Sequence, residues 1–380
     1  MNTLHAQPQR VRLKWTQRAA MHLPRAWRSL FWIPRGCVPE TRLLAQLAKA
    51  GKTHSGVTIR DVHAPPHASA GAGNQSPPLF VAEVNPGKVV GDVSLVATVD
   101  DVVAGDIQGL SDVSEPVEHW RLQRCRYRPP VRINGISAIL AAPAGATYYH
   151  WLMESLPRLQ LLEWAGFDPF RFDRFLLNEK PHRFHMETLD ILRIPPAKRH
   201  WTRKAQTLEC EHLVAPYLPA HRKFFPLWVA NFLRERFLPL AKRLPIGNRL
   251  FISRKRGHPR CIANESEIES LLRRVGFKTV HLEDHSFVEQ VGLFASASII
   301  VAIHGSGLSN LVFAGLGAKV IELFAPTYVN HCYRRIAKTM SFDYFEVIGK
   351  LNGAPGKSSM EDDMWISPRE LEEALARAGI

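Results

Sequence analysis

The sequence predicts an α/β fold whose C-terminal half is a parallel sheet, and three observations carry that expectation. The runs IIVAI (299–303) and KVIELF (ending at Phe324) have strand length and are rich in Ile and Val, as strands covered on both faces are. Between them, HGSGLSNLVFAGLG reads as a glycine-bearing turn that opens a helix. From residue 249 onward, strand and helix patterns alternate so regularly that right-handed βαβ crossovers are the natural reading.

Each C-terminal element has its own signal. RLFIS is a strand. Asn264 with Glu267 has capping-box spacing; Ile268, Leu271, Leu272 and Val275 form the apolar face of the helix that follows, and Gly276 ends it. KTVHL (278–282) is the next strand. Ser286 with Glu289 opens a second capped helix, running to about Ser296. Four strands then alternate with three helices.

Upstream, residues 40–50 read as a short helix and 61–78, rich in Pro, Ala, Gly and Ser, as a loop. Short β-type runs dominate 79–140, with Asn134-Gly135 as a hairpin turn. In 148–166, Leu152, Leu156, Leu159 and Leu162 form a helical stripe stopped by Gly166, and Pro157 makes the first turns unusual. RFLLN (174–178), FHMETLDILRI (184–194) and TLECEHLVAP (207–216) read as strand, helix and strand, so the first half has its own sheet. Residues 223–244 read as an amphipathic helix, broken at Pro239, that joins the halves.

With 380 residues, 46% hydrophobic and 22% charged, the chain has the size and composition of two globular domains. Its 49 Lys and Arg against 35 Asp and Glu give a net charge of +14, which favours a polyanionic surface or a phosphorylated substrate. Helix-turn-helix, zinc and RNP-type signals are missing, so nucleic acid is not the expected partner. The five cysteines are scattered, odd in number and without a C-x-x-C, which fits a reducing, cytoplasmic setting. No apolar run is long enough to span a bilayer, and the N-terminus lacks a signal-peptide core. Residues 1–36, basic and carrying Trp15, Trp27 and Trp32, are either a loose arm or a segment that rests on an anionic membrane face.

Ligands of open parallel sheets bind beyond the carboxyl ends of the strands. Arg254-Lys255-Arg256 follows RLFIS, Glu283-Asp284-His285 follows KTVHL, His304-Gly-Ser-Gly follows IIVAI, and Glu322 and Thr327 lie at the end of KVIELF. That edge offers what a nucleoside diphosphate needs: cations and a helix N-terminus for the phosphates, and an acid for the ribose hydroxyls. Taken alone, HGSG is equally a plain turn, and Arg254 to Arg256 a solvated loop. Metal-ligand spacing is absent from this edge. In the first half, His150, Glu154 and Arg158 recur at i, i+4, i+8 on one helix face, either as an imidazole–carboxylate pair for proton transfer or as a surface stripe.

Four blocks then resemble glycosyltransferase family 61: YYHWLMESLPRL, ISRKRGHPRCIANESEIESLL, FVEQVGLFASASIIVAIHGSGLSNLVF and KVIELF. The resemblance covers residues 147–163 and 249–325. It implies a GT-B-like arrangement, with two Rossmann-like domains facing a cleft, and inverting, metal-independent transfer without a cofactor. A sugar would pass from a nucleotide-sugar donor, UDP-linked, to a glycan or lipid-linked saccharide acceptor. Donor roles are implied for Arg254, Arg260, Asn264, His304, Gly305, Ser306, Gly307, Leu308, Asn310 and Glu322. His150 and Glu154 fall in the block facing the cleft, either one being the base. The family has alanine where Ser306 stands and often aspartate where Glu154 stands. The expected domains are a basic arm (1–36), an acceptor-side α/β domain (37–222), a linker helix (223–245), a nucleotide-sugar domain (246–350) and a C-terminal tail with a helix (351–380). A non-catalytic glycan- or nucleotide-binding protein on the same scaffold is the alternative.

Overall fold

The computed structural model describes residues 36–38, 57–62, 79–91, 95–98, 102–104, 129–203, 206–218, 225–254, 260–353 and 358–380. The expected arm at 1–36 (but for Gly36), the helix at 40–50, Lys255 and Arg256 therefore lie outside the described residues. Those through 218 form one compact unit and those from 225 onward another.

The first unit is built on one mixed sheet. Its strands are β1 (Gly36–Val38), β2 (Val57–Asp61), β3 (Phe80–Val84), β4 (Gly87–Val90), β5 (Leu95–Thr98), β6 (Val102–Ala104), β7 (Val131–Ile139), β8 (Arg174–Leu177), β9 (Arg199–Trp201) and β10 (Thr207–Tyr217). They run in the order β1-β6-β5-β4-β10-β7-β8-β9, and β3 pairs with both β10 and β2. The portion β10-β7-β8-β9 is parallel. Phe80, Ala82, Val84, Ile139, Leu176, Leu213 and Ala215 fill the core on one face of this sheet.

The Asn134-Gly135 hairpin is not there: β7 runs straight through it. The pairing with β10 slips between Cys210/His212 and Ile133/Ile136, so β7 carries an extra residue, and Gly135 takes φ +82°. Glu211 accepts the Gly135 N–H at 2.9 Å and Asp173 accepts the Ile136 N–H at 2.8 Å, which satisfies the donors that the bulge frees.

The Leu stripe at 148–166 is helical, but not as a single α-helix. A turn at Tyr148–His150 leads into a π-helix, Trp151–Ser155, and then α1 (Arg158–Trp164). Pro157 has no N–H to donate back into the preceding turn, and Leu156 N–H reaches Trp151 O at 2.9 Å, one residue further than an α-helix would bond. Arg158 does not share a surface face with His150 and Glu154. It is buried at 2% exposure, and its guanidinium donates to Glu154 O at 3.1 Å and Pro216 O at 2.7 Å. α2 (Arg183–Ile191) packs behind the π-helix.

The second unit holds a wholly parallel five-stranded sheet in the order β12-β11-β13-β14-β15. The strands are β11 (Arg249–Ile252), β12 (Lys278–Val280), β13 (Ile299–Ile303), β14 (Lys319–Phe324) and β15 (Asp343–Ile348). The fifth strand, DYFEVI, was not expected: its exposed and half-buried positions hide the apolar signal of an inner strand. KTVHL is shorter than read, because Leu282–Asp284 is a 3-10 turn. The helices are α3 (Leu227–Phe237), which ends in a 3-10 turn across Pro239, α4 (Glu265–Arg274), α5 (Phe287–Ser296), α6 (Cys332–Thr339) and α7 (Pro368–Arg377). Arg234 of α3 donates to Val312 O and Ala314 O at 2.8 and 2.9 Å, so the expected linker helix is held within this unit. The small ladder β16 (Lys350–Leu351) with β17 (Met364–Trp365) leads into α7.

The Ser286/Glu289 capping box is present on α5. The Asn264/Glu267 box is not. The Asn264 amide instead donates to Glu267 and to Ile366 O, and accepts Ile366 N–H, so it ties α4 to the chain after β17.

Gly292 fixes how closely α5 approaches the preceding segment. A Cβ there would collide with the Lys242 backbone, whose N–H donates to Val288 O at 2.9 Å. Gly292→Ala is therefore expected to destabilise the second unit by about 2 kcal/mol in urea unfolding, and an unchanged midpoint would contradict this packing.

Candidate active site

The switch point of the second sheet lies between β11 and β13, because the chain leaves β11 towards β12 and returns to β13 on the other side. Ligands of such sheets sit outside the carboxyl ends at that point. The last register pair is Ile252↔Ala302, and two residues further on stand Arg254 and His304. Thus two of the expected donor residues flank the switch point.

Glycine at 305 leaves room for a neighbour. Gly305 is extended, with φ 176°, a conformation open to any residue. A Cβ there, however, would collide with the Arg254 guanidinium. The turn and the cation therefore occupy one place, and Ser306–Phe313, a 3-10 helix, starts immediately after it. The first N–H groups of that helix have no intrahelical acceptor and carry partial positive charge. Leu308 is buried in the core, and the Asn310 amide donates to Gln290 and Gly307 O at 3.1 Å each, so both residues hold the turn in shape. Gly307 lies against the Leu282 side chain.

Arg260 joins Arg254 here. Its φ of +65° is unusual for a side-chain-bearing residue, and its guanidinium lies 5.0 Å over the Tyr328 ring. Among the described residues neither guanidinium makes an ion pair, and the Nε of each is buried without a hydrogen-bond acceptor. Burial lowers both pKa values from the ordinary arginine value, and for Arg254 the proximity of Arg260 adds to this. Two half-buried like charges, each with one buried and unanswered Nε donor, cost free energy that an anion would offset.

His304 faces both guanidiniums and is ringed by Phe324, Tyr328 and Tyr333 at centroid distances of 5.2 to 5.3 Å. Burial, then Arg260, Arg254 and His331, push its pKa down, so the ring is neutral at neutral pH. Its Nδ1 lies 2.5 Å from Glu322 Oε1, and Tyr344 O–H donates to Glu322 Oε2. Glu322, at 0% exposure, thus has both oxygens engaged within the protein, one by His304 and one by Tyr344, where an acid open to ribose hydroxyls was expected. Burial drives its pKa up to about 8. Tyr344, Tyr328 and Tyr333 were not singled out from sequence, since no motif spacing marks them. The Asn264 amide is committed to Glu267 and Ile366. Glu283 contributes only charge towards Arg254. No group of three or more His, Cys, Asp or Glu among the described residues is arranged to hold a metal ion.

In the first unit, His150 Nδ1 and Glu154 Oε2 are 2.9 Å apart at the mouth of the π-helix, an ion-pair distance without hydrogen-bond alignment. The widened turn is anchored from behind. Trp151 is fully buried and its Nε1 donates to Thr188 at 2.9 Å. His185 packs on the Trp151 ring at 4.5 Å and accepts the His182 N–H at Nδ1, which leaves Nε2–H to donate to Gly145 O at 3.2 Å. Desolvation lowers the His185 pKa to about 4, so this is a neutral structural histidine. His150, by contrast, is half-exposed beside a carboxylate, an arrangement suited to taking a proton.

Gly305→Ala is expected to displace the Arg254 guanidinium without backbone strain. Pyrophosphate affinity should fall about tenfold, the worth of one charged hydrogen bond, while the melting temperature holds. Loss of stability with binding intact would contradict this reading.

The family model for Glycosyltransferase 61 matches residues 148–321. Protein O-linked-mannose beta-1,4-N-acetylglucosaminyltransferase 2 of Homo sapiens is 35% identical over 115 residues, which cover 30% of this chain and 20% of that protein. Its Bos taurus counterpart is 36% identical over 115 residues, with 30% and 20% covered. That of Xenopus tropicalis is 41% identical over 85 residues, with 22% and 15% covered. The match thus spans about a fifth of these relatives' length or less. Across residues 148–321 this chain is similar to the glycosyltransferase 61 family.

Proposed function

We propose that the protein is a glycosyltransferase that moves a sugar from a nucleoside-diphosphate donor to a hydroxyl of a saccharide acceptor, with inversion and without a metal. The observation that carries this is the pair of buried, unanswered Nε donors on Arg254 and Arg260, beside a helix start at the switch point of a parallel sheet. These groups are suited to a diphosphate, whose charge grows as the glycosidic bond breaks. Two guanidiniums and the helix N-terminus would supply the stabilisation that a divalent cation gives elsewhere. His304 adds a neutral polar contact.

In this reading Arg254, Arg260 and the helix start hold the donor, and His150 with Glu154 supplies the base. His150 removes the proton of the acceptor hydroxyl, and Glu154 orients the imidazole and stabilises it once charged. The acceptor oxygen then attacks the anomeric carbon opposite the diphosphate. The names of the relatives describe N-acetylglucosamine transfer to O-linked mannose, which makes a UDP-N-acetylhexosamine the first donor to try. A lipid-linked saccharide on a cytoplasmic membrane face, approached through residues 1–36, is the acceptor setting that the basic arm favours.

Transfer is tested with a panel of nucleotide sugars and glycan acceptors in EDTA. The expected product has the opposite anomeric configuration. His150→Ala and Arg254→Ala should each lower kcat about 100-fold or more in folded protein. Donor binding with neither transfer nor donor hydrolysis across the panel, or a product that retains configuration, would overturn the proposal.

A further inference from the structure

The contact between His304 Nδ1 and Glu322 Oε1, 2.5 Å long, shares one proton whose owner decides what His304 can do. With Glu322 ionised, the pair holds one proton, on Nδ1, and the neutral ring presents a lone pair at Nε2 that repels an anion. With Glu322 protonated, the pair holds two: the acid donates to Nδ1 and the ring's own proton stands on Nε2 as a donor. The strands place these groups together. Glu322 pairs with Ala302, two residues before His304, and with Glu346 on β15, two residues after Tyr344. Tyr344 is therefore a diagonal neighbour on the same face of the sheet.

We propose that Glu322 and Tyr344 are positioning residues that hold His304 as an Nε2–H donor towards the anion site: Tyr344 O–H marks Oε2 as the acceptor oxygen, so that Oε1 carries the proton to Nδ1. This rests on the diphosphate reading of the site for its use, but the position of the proton can be observed without any ligand. Glu322 is wholly buried, where the neutral acid is the cheaper form. The groups around it pull in both directions. Glu346 raises its pKa, while the Tyr344 hydroxyl, His331 and Arg260 lower it, and burial outweighs them. Around His304, Arg254, Arg260 and His331 all oppose a second ring proton, so the imidazolium is excluded at neutral pH. Burial and the Glu322 charge raise the Tyr344 pKa, so this residue remains a hydroxyl donor.

The sign of the pH dependence follows. Below the raised Glu322 pKa the acid is present and His304 donates. As pH climbs through that value the acid is lost, the remaining proton moves to Nδ1, and Nε2 turns a lone pair to the phosphate. Anion affinity should therefore fall on the alkaline side, where a surface Glu–His pair would show nothing.

Two measurements decide it. The first is 15N NMR of histidine-labelled, ligand-free protein, with His304 assigned from His304→Gln. The proposal expects a protonated Nε2 and a bare Nδ1 at neutral pH; an Nδ1–H tautomer or an imidazolium overturns it. The second is UDP affinity from neutrality to about pH 9.5. The wild type should lose about tenfold as the acid ionises. Glu322→Gln should remove that fall, because its amide N–H donates to Nδ1 and its oxygen accepts from Tyr344 without titrating. Tyr344→Phe, which takes a donor from the carboxylate, should move the fall to higher pH. An alkaline fall that persists unchanged in Glu322→Gln overturns the proposal. Absence of UDP binding at any pH counts against the diphosphate reading itself, and the 15N tautomer then still decides where the proton lies.

Discussion

Two guanidiniums that repel each other, each with a buried Nε that finds no acceptor, are the constraint on which the second unit turns. Folding does not hold such a pair for its own benefit, since like charges brought together and a buried donor without an acceptor both cost free energy. The surrounding sheet enforces the arrangement. Arg254 is placed by its step beyond β11, and Gly305 leaves the space its guanidinium fills. Arg260 is held by a positive φ and a tyrosine ring. Local strain and unanswered donors converge where the topology opens a crevice, and a doubly charged ligand would answer the donors.

The chemistry of this site is layered. Next to the cations stands His304, and behind it Glu322 and Tyr344, wholly within the sheet. A carboxyl group in a parallel strand would otherwise be a liability; here its oxygens are occupied and burial favours its neutral form. The first unit solves a different problem. Its π-helix sets His150 and Glu154 side by side, and the Trp151–Thr188 bond and the neutral His185 hold the widened turn from behind. Rigid support beneath a small number of partly exposed polar groups is common to both.

Much of this was legible in the sequence, for identifiable reasons. Inner parallel strands must be apolar along their whole length, so IIVAI and KVIELF declared themselves, and with them the strand ends that carry Arg254 and His304. What escaped notice depends on geometry that spacing does not encode. Asn-Gly signals positive φ, and a hairpin turn and a bulge in a long strand both use it; pairing with β10 decided for the bulge. A Leu stripe with Pro157 is compatible with an α-helix or a π-helix. Glu322 could be recognised as an unusual acid in a strand, but which neighbour it meets depends on the register of β15, whose polar pattern concealed it. Asn264 showed capping-box spacing and instead holds Ile366, because a distant segment competes for its amide.

The account stands or falls on whether the second unit binds a nucleoside diphosphate through these cations. Calorimetric titration of the whole protein with UDP, GDP, CDP and ADP in EDTA tests this most directly. The account predicts saturable binding of one nucleotide at a single site, weakened by Arg254→Ala and by Arg260→Ala. No binding of any of the four, or binding indifferent to both substitutions, would contradict it.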